Sequence, residues 1–166
     1  MWVDTMSGEQ TQVLCFVVRD NAGKIEVLLL KRTPEKGGFW QPVCGGVSRK
    51  DISTLRACIR EMREEINLSE SDIIITHQNI HTFTVKKHYL TGKPIKPVKE
   101  YVFAVMVKNN FSVDISKNPC KEHSAFAWVS LDKAEEMLKW KENIDALKKL
   151  KKVLQNEKER KLQKML

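Results

Sequence analysis

The stretch that most limits what this chain can become is the run Arg60-Glu61-Met62-Arg63-Glu64-Glu65. Ile59, Met62 and Ile66 recur around it at helical spacing, so the segment needs a core to pack on. Glu61, Glu64 and Glu65 stand at i, i+3 and i+4. That places them on one side of the same helix, with neighbouring Cβ atoms roughly 5–6 Å apart. Three like charges at that spacing repel one another, and a divalent cation would neutralise them. Arg56, Arg60 and Arg63 are interleaved with them, which leaves a solvated charged face as the plainer reading. Asp51 or Ser53 can cap the helix, which is expected over residues 53–66.

The flanking sequence supplies a sheet. Residues 11–19 and 25–30 are apolar and β-branched, and Asp20-Asn21-Ala22-Gly23 between them is turn chemistry, so a hairpin is expected. Residues 31–38 form a loop rich in Gly and Pro, and residues 39–43 lead into Gly45-Gly46, where a chain or a phosphate can approach closely. Residues 73–77, 80–85, 101–107 and 124–129 read as further strands. Residues 86–99, with two prolines, a glycine and five lysines, read as a long basic loop. Asp132 and Glu135 resemble a capping box opening one helix, whose apolar positions run through Met137, Trp140, Ile144, Leu147 and Leu154. The order predicts an α+β fold, a mixed β-sheet with helices on its faces. One domain over residues 1–154 is expected, followed by a charged helical extension or tail over residues 155–166.

Composition narrows the setting. The chain has 166 residues, 42% hydrophobic and 30% charged, enough for one substantial core. No apolar run approaches the roughly 20 residues of a membrane span, and residues 1–4 lack the basic and apolar start of a secretory signal. Cys15, Cys44, Cys58 and Cys120 are scattered without a C-x-x-C pair, which reads as reduced thiols and a cytoplasmic address. The net charge is +8. Residues 133–166 hold eleven Lys and Arg against six Asp and Glu, so five of those eight charges sit in the C-terminal helix and tail. A solvated lysine-rich helix explains them, alongside a general attraction for polyanions.

Read as a pattern, the segment runs Gly46, five residues, Ile52, seven residues, then Arg60-Glu61-Met62-x-Glu64-Glu65-x-Asn67-Leu68. It resembles the Nudix box, G-x5-E-x7-R-E-U-x-E-E-x-G-U, where U is apolar. Two positions depart: Ile52 stands where the box has its first Glu, and Asn67 stands where it has Gly. Asn is the next best residue for a left-handed helix end. Beyond the box, Leu28-Leu29-Leu30-Lys31-Arg32, Phe39-Trp40-Gln41-Pro42-Val43 before Gly45-Gly46, Glu122-His123 before Trp128-Val129, and Trp140 with Asn143 resemble the dihydroneopterin triphosphate pyrophosphatase subgroup, also described as dATP pyrophosphohydrolases.

The resemblance implies an α/β/α sandwich and hydrolysis of a nucleoside diphosphate linked to another group. It implies Mg²⁺, with Mn²⁺ as a substitute, held by Glu61, Glu64, Glu65 and Glu122. Glu122 is a further ligand or the general base, Arg60 orients a glutamate, and the Gly45-Gly46 backbone offers a carbonyl to the metal. Arg32, Trp40, Gly45 and Gly46 are the expected substrate contacts, with Phe39 and Lys86, Lys87, Lys93 and Lys96 as further candidates and His123 as the histidine of interest. With Ile52 in place of the first Glu, Asp51 can substitute by a one-residue shift, and a rearranged outer metal site is expected. The expected reaction takes a nucleoside or pterin triphosphate, such as dATP or dihydroneopterin triphosphate, to monophosphate and pyrophosphate. Hydrolysis of dinucleoside polyphosphates or RNA 5′-ends is the alternative within the class, and a non-catalytic nucleotide- or RNA-binding module is the alternative outside it. No membrane partner is expected, and oligomeric state is open.

Overall fold

A computed structural model describes residues 10–166, so residues 1–4, read above as lacking a signal, lie outside the described residues. The chain opens with the expected hairpin, β1 (Gln10–Asn21) and β2 (Lys24–Arg32), whose turn is tied by Gly23 N–H donating to Asp20 Oδ1 at 2.7 Å. Two short strands follow, β3 (Trp40–Gln41) and β4 (Val43–Gly46), then helix α1 (Thr54–Ile66). Strands β5 (Ile73–Lys87), β6 (Pro94–Val107) and β7 (His123–Ser130) precede helices α2 (Leu131–Met137) and α3 (Lys141–Lys164).

The seven strands among the described residues join in one sheet, ordered β3-β2-β1-β6-β5, with β4 also on β1 and β7 also on β2. It is mixed, because β1 runs parallel to β6 and the other pairings are antiparallel. Strand β1 hands one edge from β2, at Val18–Asn21, to β4, at Gln12–Cys15. The sheet therefore divides between the end of β2 and β4. Alternation along the strands builds two cores. Val13, Cys15, Val17, Leu30 and Phe103 pack on one face with Ala57, Met62 and Ile66 of α1. Leu14, Phe16, Val18, Leu29 and Val102 pack on the other with Ala134 of α2 and Leu147 and Leu150 of α3. The result is a three-layer α/β/α sandwich.

The ends of α1 follow its sequence. Ser53 is the N-cap and its hydroxyl accepts from Arg56 N–H at 3.2 Å, while Asn67 ends the helix in the left-handed conformation at φ 58°. Asp51 is not the cap; it has another task, described below.

Several expectations need correction. Cys15 and Cys58 are not free thiols but form a disulfide between β1 and α1. Both are fully buried and their Cα atoms are 6.3 Å apart, a proximity that 43 residues of separation conceal. Residues 86–99 are not a long loop, since β5 and β6 extend through them and leave only residues 88–93 as the turn. Pro94 and Pro97 precede Val98, where the pairing with β1 begins among the described residues, so no described ladder bond on that side needs their missing N–H. The two strands read at 73–77 and 80–85 are one strand, with an irregularity between His77 and His81 where Asn79 takes φ 57°. The single C-terminal helix is two helices, because Leu138 turns extended and bridges to Trp40. Ser130 caps α2, and Asp132 and Glu135 instead hold Lys151 of α3 at 2.9 and 2.6 Å. Helix α3 continues to Lys164, carrying Leu162 exposed near its end. Among the described residues no helix is long and apolar enough to cross a membrane.

One carboxylate stands inside the sheet. Glu100 on β6 is 7% exposed, and burial, reinforced by the charge of Glu142, pushes its pKa from 4.5 to about 7. A carboxyl raised in this way stabilises the fold while protonated, and that stability is lost as pH rises from 4.5 through about 7. Urea titrations of the metal-free protein and of Glu100→Gln across this range are expected to diverge. The parent should lose on the order of 3 kcal/mol relative to the variant between about pH 4.5 and 8. A constant difference would show that Glu100 is not buried in this way.

Candidate active site

The site begins with a missing atom. A Cβ on Gly45 would lie within 2.0 Å of the Glu61 carboxylate carbon. Gly45 is therefore required by the close approach of α1, not by an unusual backbone angle; neither it nor Gly46 takes a positive φ. Both belong to β4, where Gly45 pairs with Val13 and faces α1. Glu61 is 9% exposed beneath it.

Arg60 organises the rim. Its guanidinium donates to Glu61 Oε1 at 2.7 Å, to Asp51 Oδ1 and Oδ2 at 3.0 and 2.9 Å, and to the Gly46 carbonyl at 2.8 Å. Of the two carbonyls in the Gly45-Gly46 pair, from which a metal contact is expected, that of Gly46 accepts from this arginine. Asp51 also accepts from Ser48 N–H at 2.8 Å, and the Arg60 hydrogen bonds, the largest influence, hold its carboxyl below the ordinary range. The charge beside Ile52 thus braces Arg60 and the loop leading into α1. Ile52 itself is 88% exposed and stays outside the site.

One turn along α1, Glu65 is 4% exposed, and its Oε2 is buried without a partner. Burial pushes its pKa well above the carboxylate range, and the charges of Glu61 and Glu122 push the same way; Arg32 and a backbone hydrogen bond from Cys44 oppose. Glu61 is raised by burial too, with Arg60 opposing. Glu122 reaches this group from the loop before β7. Its Oε2 accepts from Arg32 Nη1 at 3.2 Å, and its carbonyl accepts from Thr33 N–H at 3.0 Å. Arg32, at the end of β2, also donates to the Tyr89 hydroxyl at 3.2 Å and lies 5.3 Å from that ring's centre.

The structure brings Glu61, Glu65, Glu122, Arg32, Arg60, Gly45 and Gly46 together across the division in the sheet. Glu64 stands apart, its side chain 44% exposed with a 3.4 Å contact to Arg60. Trp40 faces the opposite side of the sheet, among the residues under α2 and α3. Phe39 has its ring edge-on to Tyr89 at 5.9 Å and to Trp140 at 5.6 Å. Lys86, Lys87, Lys93 and Lys96 are exposed along the β5–β6 hairpin. His123 is buried beside Gln41, with its pKa lowered to about 4 by burial and by Arg32, so it is neutral at pH 7. Tyr89 escaped the sequence reading, because a tyrosine in a basic Gly-Pro segment carries no spacing that ties it to Arg32. Glu100 escaped as well, since a charge preceding an apolar run looks like a solvated flank.

Among the described residues no three His, Cys, Asp or Glu side chains converge closely enough, as they lie, to enclose an ion. The donor set nevertheless suits one. Glu61, Glu65 and Glu122 present hard oxygens, the sole cation acting on Glu65 among its main influences is Arg32, and the unpartnered Glu65 Oε2 is an oxygen that a dication would satisfy.

Comparison with known proteins bears on the same residues. The chain is 33% identical over 129 residues, 74% of its own length and 77% of the relative's, to the dihydroneopterin triphosphate diphosphatase of Haemophilus influenzae. It is also 33% identical over 124 residues to an octanoyltransferase of Myxococcus xanthus, a match spanning only 31% of that relative's length. Among solved structures, a C. elegans Ap4A hydrolase in a binary complex superposes with a TM-score of 0.72 at 26% identity, covering 88% of this chain and 98% of that one. The NUDIX domain model matches residues 8–150, which takes in the sheet, the carboxylate helix, Glu122 and the first half of α3. With that span matched, the chain belongs to the Nudix family and carries its hydrolase module, which acts on phosphoanhydrides.

Proposed function

We propose that this chain is a Mg²⁺-dependent pyrophosphohydrolase, also served by Mn²⁺, that cleaves a nucleoside or pterin triphosphate to monophosphate and pyrophosphate. The observation that carries the reading is the buried pair Glu61 and Glu65, with the Glu65 Oε2 unpartnered and Glu122 alongside. Glu61 and Glu65 would hold the metal, Glu64 would join them by swinging in from the rim, and Glu122 would be either a further ligand or the base. When bound, the ion supplies charge screening of the phosphates and acidifies a water. Arg60 holds Glu61 by a charge-assisted hydrogen bond and so fixes a ligand oxygen without touching substrate. Arg32 is placed to bind a phosphate oxygen, exchanging its contact with Glu122 for one with substrate. Glu122, released by that exchange, can take the proton of the attacking water. The Haemophilus relative, a dihydroneopterin triphosphate diphosphatase by name, supports a pterin triphosphate as substrate. The C. elegans structure supports a second reading, a dinucleoside polyphosphate.

A hydrolysis panel of dATP, dGTP, dihydroneopterin triphosphate, diadenosine tetraphosphate and triphosphate-ended RNA, with the products identified, separates these readings. Pyrophosphate and monophosphate from the free triphosphates are expected. Equal or faster turnover of RNA or of the dinucleotide would sink the first choice, and turnover of nothing would leave a binding module. Glu64→Gln should lower Mg²⁺-dependent kcat by about 10²–10³-fold while substrate binding is largely kept.

Thermal melts give a readout independent of turnover. Without metal at pH 7.5, Glu65→Gln should melt above the parent, because it removes a buried carboxyl that resists ionisation. Added Mg²⁺ should raise the melting temperature of the parent and leave that of the variant nearly unchanged. An equal Mg²⁺ response in both would remove Glu65 from the metal site.

A further inference from the structure

On the sheet face opposite α1 lies a second buried carboxylate, Glu100. Glu100 pairs with Gln12 across β6 and β1, two residues before Val102, so it shares the face that carries Leu14 and Val102. Its Oε2 is buried and has no partner. No cation appears among the influences on it, which are burial and the negative charge of Glu142. A carboxylate kept in such a place costs stability, and among the described residues nothing hydrogen-bonds its Oε2.

Two features tie Glu100 to the active site. The first is Cys44 on β4, whose thiol is pushed well up by burial and then by Glu65, Glu100 and Glu61, with Arg32 opposing. Cys44, paired with Leu14 on the face that carries Glu100, thus lies within electrostatic range of both Glu65 and Glu100. The second is the start of α3. Trp140 caps this helix, Glu142 in its first turn acts on Glu100, and Asn143 beside it is 8% exposed. Trp140 in turn meets Phe39 edge-on, and Phe39 meets Tyr89, the partner of Arg32. A run of aromatic side chains therefore leads from Arg32 to the start of α3, the helix that packs on the sheet face carrying Glu100.

We propose that Glu100 is the residue that selects the ring of the substrate, its free carboxylate oxygen accepting the adjacent ring N–H and amino donors of a 2-amino-4-oxo heterocycle. Guanine and pterins present this edge alike, with two donors side by side; adenine presents a single amino group next to an acceptor nitrogen. Phe39 and Trp140 offer the apolar flank for such a ring, and the Asn143 amide offers an N–H for its carbonyl. The inference rests on the triphosphate reading above and deepens it.

The test compares the parent with Glu100→Gln on dGTP, dihydroneopterin triphosphate and dATP under one Mg²⁺ concentration. Metal-free calorimetric binding of dGMP, dihydroneopterin monophosphate and dAMP runs alongside. A glutamine keeps the shape but turns one acceptor into a donor, which opposes a ring N–H. The parent should prefer the 2-amino-4-oxo rings, and the variant should lose about 10²-fold in kcat/KM for them while dATP changes less than about threefold. The monophosphates should follow the same order in Kd. Whichever of guanine and pterin is favoured identifies the source of the ring, and either supports the assignment. A parent without preference, a variant that keeps the preference, or an equal loss on all three substrates would overturn it, the last marking a purely structural role. If no triphosphate is cleaved but dGMP or the pterin monophosphate binds in a Glu100-dependent manner, the hydrolase reading fails and the assignment of Glu100 stands. If nothing is cleaved and nothing binds, both fail.

Discussion

The contact between Glu61 and the bare α-carbon of Gly45 is the constraint on which the rest of this structure depends. A strand and a helix can approach until a carboxylate occupies the volume of a Cβ only if that Cβ is absent. The approach buries Glu61, and one turn further along α1 it buries Glu65 under the same strand. The fold thereby does what sequence spacing alone cannot: it takes the glutamates of one helical face and desolvates two of them. Desolvation turns a mild i,i+4 repulsion into a demand for a counter-charge.

Arg60 meets part of that demand and shows how the departure at Ile52 is absorbed. Its guanidinium binds Asp51 through two oxygens, Glu61 through one, and the Gly46 carbonyl. It locks the loop before α1, the helix and β4 into one unit. A planar group with several fixed N–H directions can do this, whereas a lysine ammonium offers a point charge without that geometry. Because Asp51 and Ser48 stabilise the loop from within, position 52 is free to turn outward and carry an apolar side chain.

Much of the fold was legible because local chemistry and burial agree there. The β1–β2 turn, the cap at Ser53, the left-handed Asn67 and the two alternating faces all follow from residue types at fixed spacing. What was not legible depended on partners remote in sequence. Lysines and prolines at 86–99 look like a loop until β5 and β6 are paired with each other. Leu138 looks helical until Trp40 offers it a bridge, and Cys15 and Cys58 look unrelated until α1 is laid on β1. The site divides in the same way. Glu61, Glu64 and Glu65 announce themselves by periodicity, and Glu122 by resemblance. The differing exposure of Glu64, the outward-facing Ile52 and the Arg32–Tyr89 contact are tertiary facts.

The division of the sheet gives the site its shape. Because β1 exchanges β2 for β4 partway along its edge, the ends of both strands and the loop before β7 open onto one gap. Arg32 and Glu122 reach it from one side and Glu61 and Glu65 from the other, while the sheet itself separates these carboxylates from Glu100, which lies on β6 and faces the other way. Among the described residues, unsatisfied oxygens are thus buried on both faces of the sheet, at Glu65 on the α1 side and at Glu100 on the α3 side. They are the two oxygens among five buried side-chain polar atoms without a partner, the others being nitrogens of Arg32, His77 and His123, and each such atom calls for an explanation. They differ in chemistry. Glu65 lies beside other acids and an arginine, where a dication would fit on the proposed reading; Glu100 lies on the face under α3, where a flat ring with N–H donors would fit on the same reading. A molecule with polyanionic character at one end and a donor-edged heterocycle at the other would satisfy both, and this is the architecture of a nucleoside or pterin triphosphate.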